Sequence, residues 1–150
     1  ALGGIIPILA TAYDENDRVA FDDVARQVDH LASLAVTAVG IGFGSDIVRL
    51  TEPERDALVR VVADAASGRV PVLASAGGNS IRSGIDRAAA AVTAGASILM
   101  VIPPGASSSP TPADLVDYYT AIGRETRVPI MVQDAPGFTG TRNSTGVCER

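Results

Sequence analysis

Lysine does not occur among the 150 residues; all twelve basic side chains are arginine. A guanidinium stays protonated at any workable pH, so no side chain here can serve as an amine nucleophile, and the one primary amine is the α-amino group of Ala1. Cysteine occurs once, at Cys148, which excludes an internal disulfide. Histidine also occurs once. With no second histidine, no cysteine cluster and only scattered carboxylates, neither a metal site nor any cofactor is expected. The arginines are dispersed among seventeen acids and the formal net charge is −5, so no basic stripe exists for a phosphate backbone and nucleic acid is not an expected partner. No apolar run reaches the roughly 20 residues that span a bilayer, which removes the membrane as a partner. Ala1-Leu2-Gly3-Gly4 lacks the basic start of a signal peptide, so a cytoplasmic location is expected and the acceptor-like tripeptide Asn143-Ser144-Thr145 reads as a chance match.

What is present is a globular composition, 47% hydrophobic and 19% charged, in a chain of one ordinary domain's length. Short β-branched apolar runs alternate with longer segments of helical period. Strands are expected over residues 5–9, 38–42, 70–74, 98–102 and 128–132. A helix over 21–35 places Val24, Val28, Leu31 and Ala35 on one stripe and Asp22, Arg26, Asp29 and Ser33 opposite, with His30 on the solvated side. Thr51-Glu52-Pro53-Glu54 opens the next helix, the Thr hydroxyl and the Glu carboxylate three residues on capping each other's amides; Leu58, Val61, Val62 and Ala65 are its expected buried face. Ile81, Ile85, Ala88 and Val92 line up on a third helix. Thr111-Pro112-Ala113-Asp114 starts a fourth, ahead of Leu115, Tyr118 and Ile122. Of the neighbours Tyr118 and Tyr119, one is expected in the core and the other partly exposed.

Apolar strands joined by helices indicate parallel pairing with both faces covered, so the fold class is α/β. Two architectures fit: the N-terminal part of a (β/α)8 barrel with four βα units and a fifth strand, or an open five-stranded doubly wound parallel sheet. Gly40-Ile41-Gly42-Phe43-Gly44 follows a strand as a dinucleotide loop would, but the next helix starts only near Thr51 and the third fingerprint glycine is missing. Gly77-Gly78 reads as a tight turn rather than a phosphate cradle, and Ser107-Ser108-Ser109-Pro110 as a linking loop. Asp46 and Asp134 end strands where α/β proteins place their sites, although caps and turns use aspartate as often.

Three stretches tilt the choice: Ile5-Ile6-Pro7 leading to Thr11-Ala12-Tyr13; Gly42 to Asp46 followed by Leu50-Thr51 and Glu54-Arg55; and Val128-Pro129-Ile130 with Asp134-Ala135-Pro136-Gly137-Phe138-Thr139-Gly140. Together they resemble the dihydrodipicolinate synthase and N-acetylneuraminate lyase family, and Gly68-Arg69-Val70-Pro71-Val72, Gly77-Gly78-Asn79-Ser80, Ala94-Gly95-Ala96 and Pro103-Pro104 sit where that family has comparable turns. The resemblance implies a (β/α)8 barrel, usually a homo-oligomer, that acts as a class I aldolase or lyase on pyruvate or a related 2-oxo acid. In that family a lysine on the sixth strand forms a Schiff base, whose iminium is a better electron sink than a ketone.

Departures from the family pattern are informative. Where the family commonly carries Gly-Thr-Thr-Gly-Glu, this chain has Gly42-Phe43-Gly44-Ser45-Asp46, so both threonine hydroxyls are gone and the amides of Gly44 and Ser45 are left to form an anion-binding concavity. Gln133 stands where the family's strand-five tyrosine shuttles protons; a glutamine hydrogen-bonds but does not titrate. Gly105 replaces a further tyrosine after the Pro-Pro. The resemblance therefore implies substrate contacts at Gly44, Ser45, Asp46 and Gln133, and no catalytic residue within the chain. Whether the chain is an enzyme stays open: by resemblance it is a carbon-carbon or carbon-oxygen lyase, inactive alone because the lysine is absent. The alternative is a non-catalytic remnant or interaction module that associates through open sheet edges and binds a small carboxylate. Residues 1–140 are read as the barrel part and 141–150 as an irregular tail, and the open edges make self-association the expectation.

Overall fold

Both helix starts named by a threonine are realised as reciprocal caps in the computed structural model, which describes residues 3–105 and 110–148. Thr51 N–H donates to Glu54 Oε2 at 2.8 Å while Glu54 N–H donates to Thr51 Oγ1 at 3.4 Å, opening helix α2 (Glu52–Ala66). Thr111 does the same with Asp114, at 2.8 and 3.2 Å, opening α4 (Pro112–Thr126). Helices α1 (Phe21–Ala32) and α3 (Ile81–Thr93) complete the set that separates strands β1 (Val39–Ile41), β2 (Val72–Ala76), β3 (Ile98–Val101) and β4 (Ile130–Val132). These four strands form one parallel sheet in the order β1-β2-β3-β4. The Ser107-Ser108-Ser109 loop, the amine of Ala1 and the thiol of Cys148 lie outside what is described.

The chain divides into two compact units, Ala1–Ala74 with Thr93–Ser97 and Ser75–Val92 with Ile98–Arg150. In the first unit β1 pairs with β2 in the register Val39↔Val72, Gly40↔Leu73 and Ile41↔Ala74, and α1 packs on α2. Val24, Val28, Leu58 and Val62 close this core. Arg69, just past α2, ties the two helices by donating to the Asp29 carboxylate on α1 and to Ala65 O and Ala66 O. Helix α1 stops at Ala32 rather than Ala35 because Ser33 ends it: its N–H is shared between Asp29 O and His30 O, and its hydroxyl donates to His30 O at 2.6 Å. His30 is exposed, on the solvated side as expected.

The expected first strand, 5–9, is not a strand but a single parallel bridge, Ile8↔Gly40. Gly40 N–H donates to Pro7 O and Leu9 N–H to Gly40 O, but the next rung toward the N-terminus needs an N–H at position 7, where proline has none. Thr37 N–H bonds Ile5 O instead, one residue out of step.

In the second unit β3 pairs with β4 in the register Leu99↔Ile130, Met100↔Met131 and Val101↔Val132. The core is built by Leu99, Val101, Leu115, Tyr118 and Ile122. Helix α3 buries Gly84, Ala88 and Ala91, while Ile81 of the expected stripe is 44% exposed. Small residues win that face because α4 comes so close: a Cβ on Gly84 would lie 2.8 Å from the Tyr118 ring. A comparable rotation puts Val59 and Ala66 of α2 inside in place of Val61 and Ala65. Both tyrosines of α4 are buried, correcting the expectation that one is partly exposed; their rings meet edge to face at 5.4 Å. All three residues of β4 are only half-buried.

The segment after Gly140, expected to be irregular, is folded. It follows the short helix α5 (Pro136–Thr139) and holds a further turn, α6 (Thr145–Cys148), with Thr141 and Val147 buried. Thr141 Oγ1 donates to Pro104 O at 2.9 Å. A turn this short has no repeating apolar period for a sequence to display.

The caps predict a pH dependence. Hydrogen bonds from Thr51 and Thr111 hold the Glu54 and Asp114 carboxyls below their ordinary values of 4.5 and 3.8. The folded state thus binds protons less readily than the unfolded chain, and this stabilisation, full above those values, is lost as pH falls below them through the lower folded-state values. Thr51→Ala should cost about 1 kcal/mol at neutral pH, and urea titrations of variant and parent should draw together at pH 3.

Candidate functional site

Gly44, Ser45 and Asp46 share one turn in the first unit, and Gln133 belongs to the second. The 3-10 turn Phe43–Ser45 leaves the end of β1 and closes on Asp46 in the left-handed conformation, φ 54°. Its cohesion comes from Ser45, whose side chain is wholly buried. The Ser45 hydroxyl donates to Leu9 O at 2.5 Å and accepts from Gly42 N–H at 3.2 Å. Thr11, which sequence reasoning did not single out for this site, donates from Oγ1 to Ser45 O at 2.5 Å. The turn is therefore latched from both sides to the segment that precedes α1.

This latch decides which groups of the turn remain for a ligand. The amide of Ser45 is spent on Gly42 O at 2.8 Å and that of Asp46 on Phe43 O at 3.1 Å, leaving Gly44, which is exposed, without a hydrogen bond outside the turn. Asp46 keeps its carboxylate at the surface near Arg49, with Nε 3.9 Å away. The stretch that superficially fitted a dinucleotide loop is thus β1 and this turn, with the next helix beginning only at Glu52.

In the second unit Gln133 follows β4, its N–H donating to Val101 O at 3.0 Å. Asp134 follows and is exposed; its Oδ1 accepts from Asn143 N–H at 2.8 Å and from Asn143 Nδ2 at 3.3 Å. Asn143 Oδ1 in turn accepts from the Tyr119 hydroxyl at 2.9 Å. The Tyr119, Asn143 and Asp134 chain ties α4, the 141–144 segment and the end of β4 together. It also commits the side chain of the acceptor-like tripeptide to internal bonds.

Gly77-Gly78 links the end of β2 to the bend that precedes α3. Gly77 has φ +132°, where a side chain would be strained, and a Cβ would lie 2.8 Å from Ile102 O. Gly78 N–H donates to the Tyr118 hydroxyl at 2.8 Å, and the hydroxyl donates to Gly78 O at 3.2 Å. An amide so engaged is not available to cradle phosphate. Burial pushes the Tyr118 phenol above its ordinary value of 10.0, opposed by the Gly78 hydrogen bond and the Arg87 charge. Among the described residues no three His, Cys, Asp or Glu side chains are grouped to hold a metal ion, and no helix is long and apolar enough to cross a membrane.

Parallel strands each followed by a covering helix, with the loops of interest at their C-terminal ends, define the class: an α/β protein with the architecture of the front part of a (β/α)8 barrel. The dihydrodipicolinate synthetase family model matches residues 1–150, and the chain belongs to that family. It is 29% identical over 147 residues to 4-hydroxy-tetrahydrodipicolinate synthase of Archaeoglobus fulgidus, covering 98% of this chain and 50% of that one. Dihydrodipicolinate synthase from Bacillus anthracis superposes with a TM-score of 0.90 at 27% identity, over 99% of this chain and 51% of the other. A prophage protein of the same family from E. coli K12, solved in complex with pyruvate, gives 0.83 at 29%, over 93% and 47%. The open doubly wound sheet is thereby set aside. The chain spans about half the length of these relatives.

Two hydroxyl deletions test the latches. Ser45→Ala leaves Leu9 O and Gly42 N–H buried without their partner and should lower stability by about 1–3 kcal/mol in urea unfolding. Tyr118→Phe should cost a similar amount, about 1–3 kcal/mol. Because the folded state holds the phenolic proton more tightly than the unfolded chain, parent stability should also decline as pH rises beyond 10.0, and the phenylalanine variant should lack that component.

Proposed function

We propose that this chain is the front part of a lyase or aldolase that acts on pyruvate or a related 2-oxo acid through a Schiff base, and that these 150 residues are inactive by themselves. The observation that carries the reading is the family match over residues 1–150. A relative solved with pyruvate supplies the substrate class. The absence of lysine from these 150 residues supports an imine-forming amine supplied from outside them. An enamine cannot be formed without that amine, and the protonated imine acidifies the adjacent carbon more strongly than the parent ketone does.

Within this reading Gly44 offers its amide to the substrate carboxylate, and Asp46, held in the turn's left-handed closing position, borders it. Ser45 contributes by holding the turn, its hydroxyl being saturated by Leu9 and Gly42. Gln133 contacts substrate as a hydrogen-bonding group and leaves proton transfer to others. No cofactor takes part. The protein works in the cytoplasm as a homo-oligomer. A second reading, a non-catalytic module that associates through open strand edges, draws its support from the half-buried state of β4.

Incubation with pyruvate and borohydride, followed by intact-mass and peptide analysis, tests the first reading. The 150-residue chain should acquire no adduct beyond slow labelling of Ala1. A longer chain carrying a lysine on the following strand should be trapped at that lysine. An adduct at any internal residue of the short chain, or no trapping of the lysine-bearing one, overturns the proposal.

A further inference from the structure

The sequence holds two methionines, and the fold makes them cross-strand neighbours: Met100 of β3 is in register with Met131 of β4. Paired residues of a parallel ladder project to the same face of the sheet, so the two thioether side chains start from adjacent positions on one face. Their exposure differs. Met100 is 7% exposed, whereas Met131 is half-buried, as is every residue of β4, the last strand in the sheet order. Two ladder hydrogen bonds bracket Met131, from Leu99 N–H to Pro129 O on one side and from Gln133 N–H to Val101 O on the other, both at 3.0 Å. A disturbance at this side chain is therefore felt by the bonds that hold β4 to β3.

We propose that Met100 and Met131 form a redox-sensitive device, in which a hydroperoxide oxidises Met131 first and the loosened β4 then admits a second oxidation at Met100. In each step one peroxide oxygen passes to a thioether: the O–O bond breaks, an S–O bond forms, the sulfur gives up two electrons and hydrogen peroxide leaves as water. Access sets the order, because the oxidant has to reach sulfur, which half-buried Met131 allows and Met100 does not while the ladder is closed. The product is a polar, chiral group in place of a flexible apolar one. Beside the buried Met100 it brings a strong acceptor against apolar surface, which costs stability and weakens the pairing. The strand runs straight into Gln133 and Asp134, so its loosening also frees that end of the second unit. Two thiols reverse the step, giving back the thioether with a disulfide and water, which makes the change a switch rather than damage. The proposal stands independently of the 2-oxo acid reading.

The test uses the 150-residue chain carrying Cys148→Ser, which leaves the two thioethers as its only sulfur atoms. Hydrogen peroxide is added, and the chain is followed over time by fragmentation of the intact mass and by thermal unfolding. Met131 sulfoxide should appear first, and Met100 sulfoxide only in molecules already oxidised at Met131. The singly oxidised form should unfold at least about 2 °C below the reduced one, and methionine sulfoxide reductases for both epimers, supplied with dithiothreitol, should restore the midpoint. Met131→Leu keeps the side chain apolar and close in volume, so this variant should hold its midpoint in peroxide and keep Met100 reduced for as long. Oxidation of Met100 first or at an equal rate overturns the proposal. So does an unchanged midpoint after Met131 is oxidised, a midpoint the reductases do not restore, or a leucine variant that loses Met100 as fast as its parent.

Discussion

Parallel pairing is the constraint on which the rest of this structure depends. A strand that runs beside its predecessor in the same direction must be entered from the same end, so the chain has to travel back along the sheet between strands. Helices α2, α3 and α4 make those returns and bury one face each in doing so. In the second unit the segments after β2, β3 and β4 consequently leave from one end, which is where Gly77-Gly78, Pro103-Pro104 and Gln133-Asp134 are found. The loops gather there because of the topology, before any chemistry is asked of them.

Hydroxyl groups then hold those loops in place. Ser45 and Thr11 latch the turn after β1, Tyr118 clamps Gly78, and Thr141 anchors to Pro104. Each bonds a backbone group that a strand or helix would otherwise have satisfied. Their role is architectural, and this has a functional corollary: a hydroxyl saturated by two backbone partners is a poor relay for protons. Gly44 keeps an amide with no hydrogen bond outside its turn, and an amide does not titrate in the accessible range. In the proposed chemistry the covalent step falls to groups outside these residues.

Much of the fold was legible in the chain, for identifiable reasons. The Thr51 and Thr111 starts were readable because caps are local, each closed within four residues. Strands β1 to β4 were visible as β-branched runs, although shifted by up to two residues, since pairing partners set the ends. The packed face of α3 was misread because glycine and alanine carry little hydrophobic signal; they lie inside only because α4 approaches so closely. Residues 5–9 looked like a strand by composition, yet Pro7 interrupts the ladder. Of the site residues, Gly44, Ser45, Asp46 and Gln133 could be nominated, but not Thr11 or Asn143, whose partners are remote in sequence.

The sequence by itself determined that no lysine is available, that the fold alternates strand and helix, and that the chain resembles the family to which it belongs; these follow from residue identity and short-range pattern. Only tertiary structure decided which polar groups are satisfied. The Ser45 hydroxyl meets Leu9 across 36 positions and the Tyr118 hydroxyl meets Gly78 across 40, whereas Gln133 Oε1 meets no donor among the described residues. Hydrogen-bond saturation depends on which distant segments burial brings within about 3 Å, and that distance is a property of the folded chain.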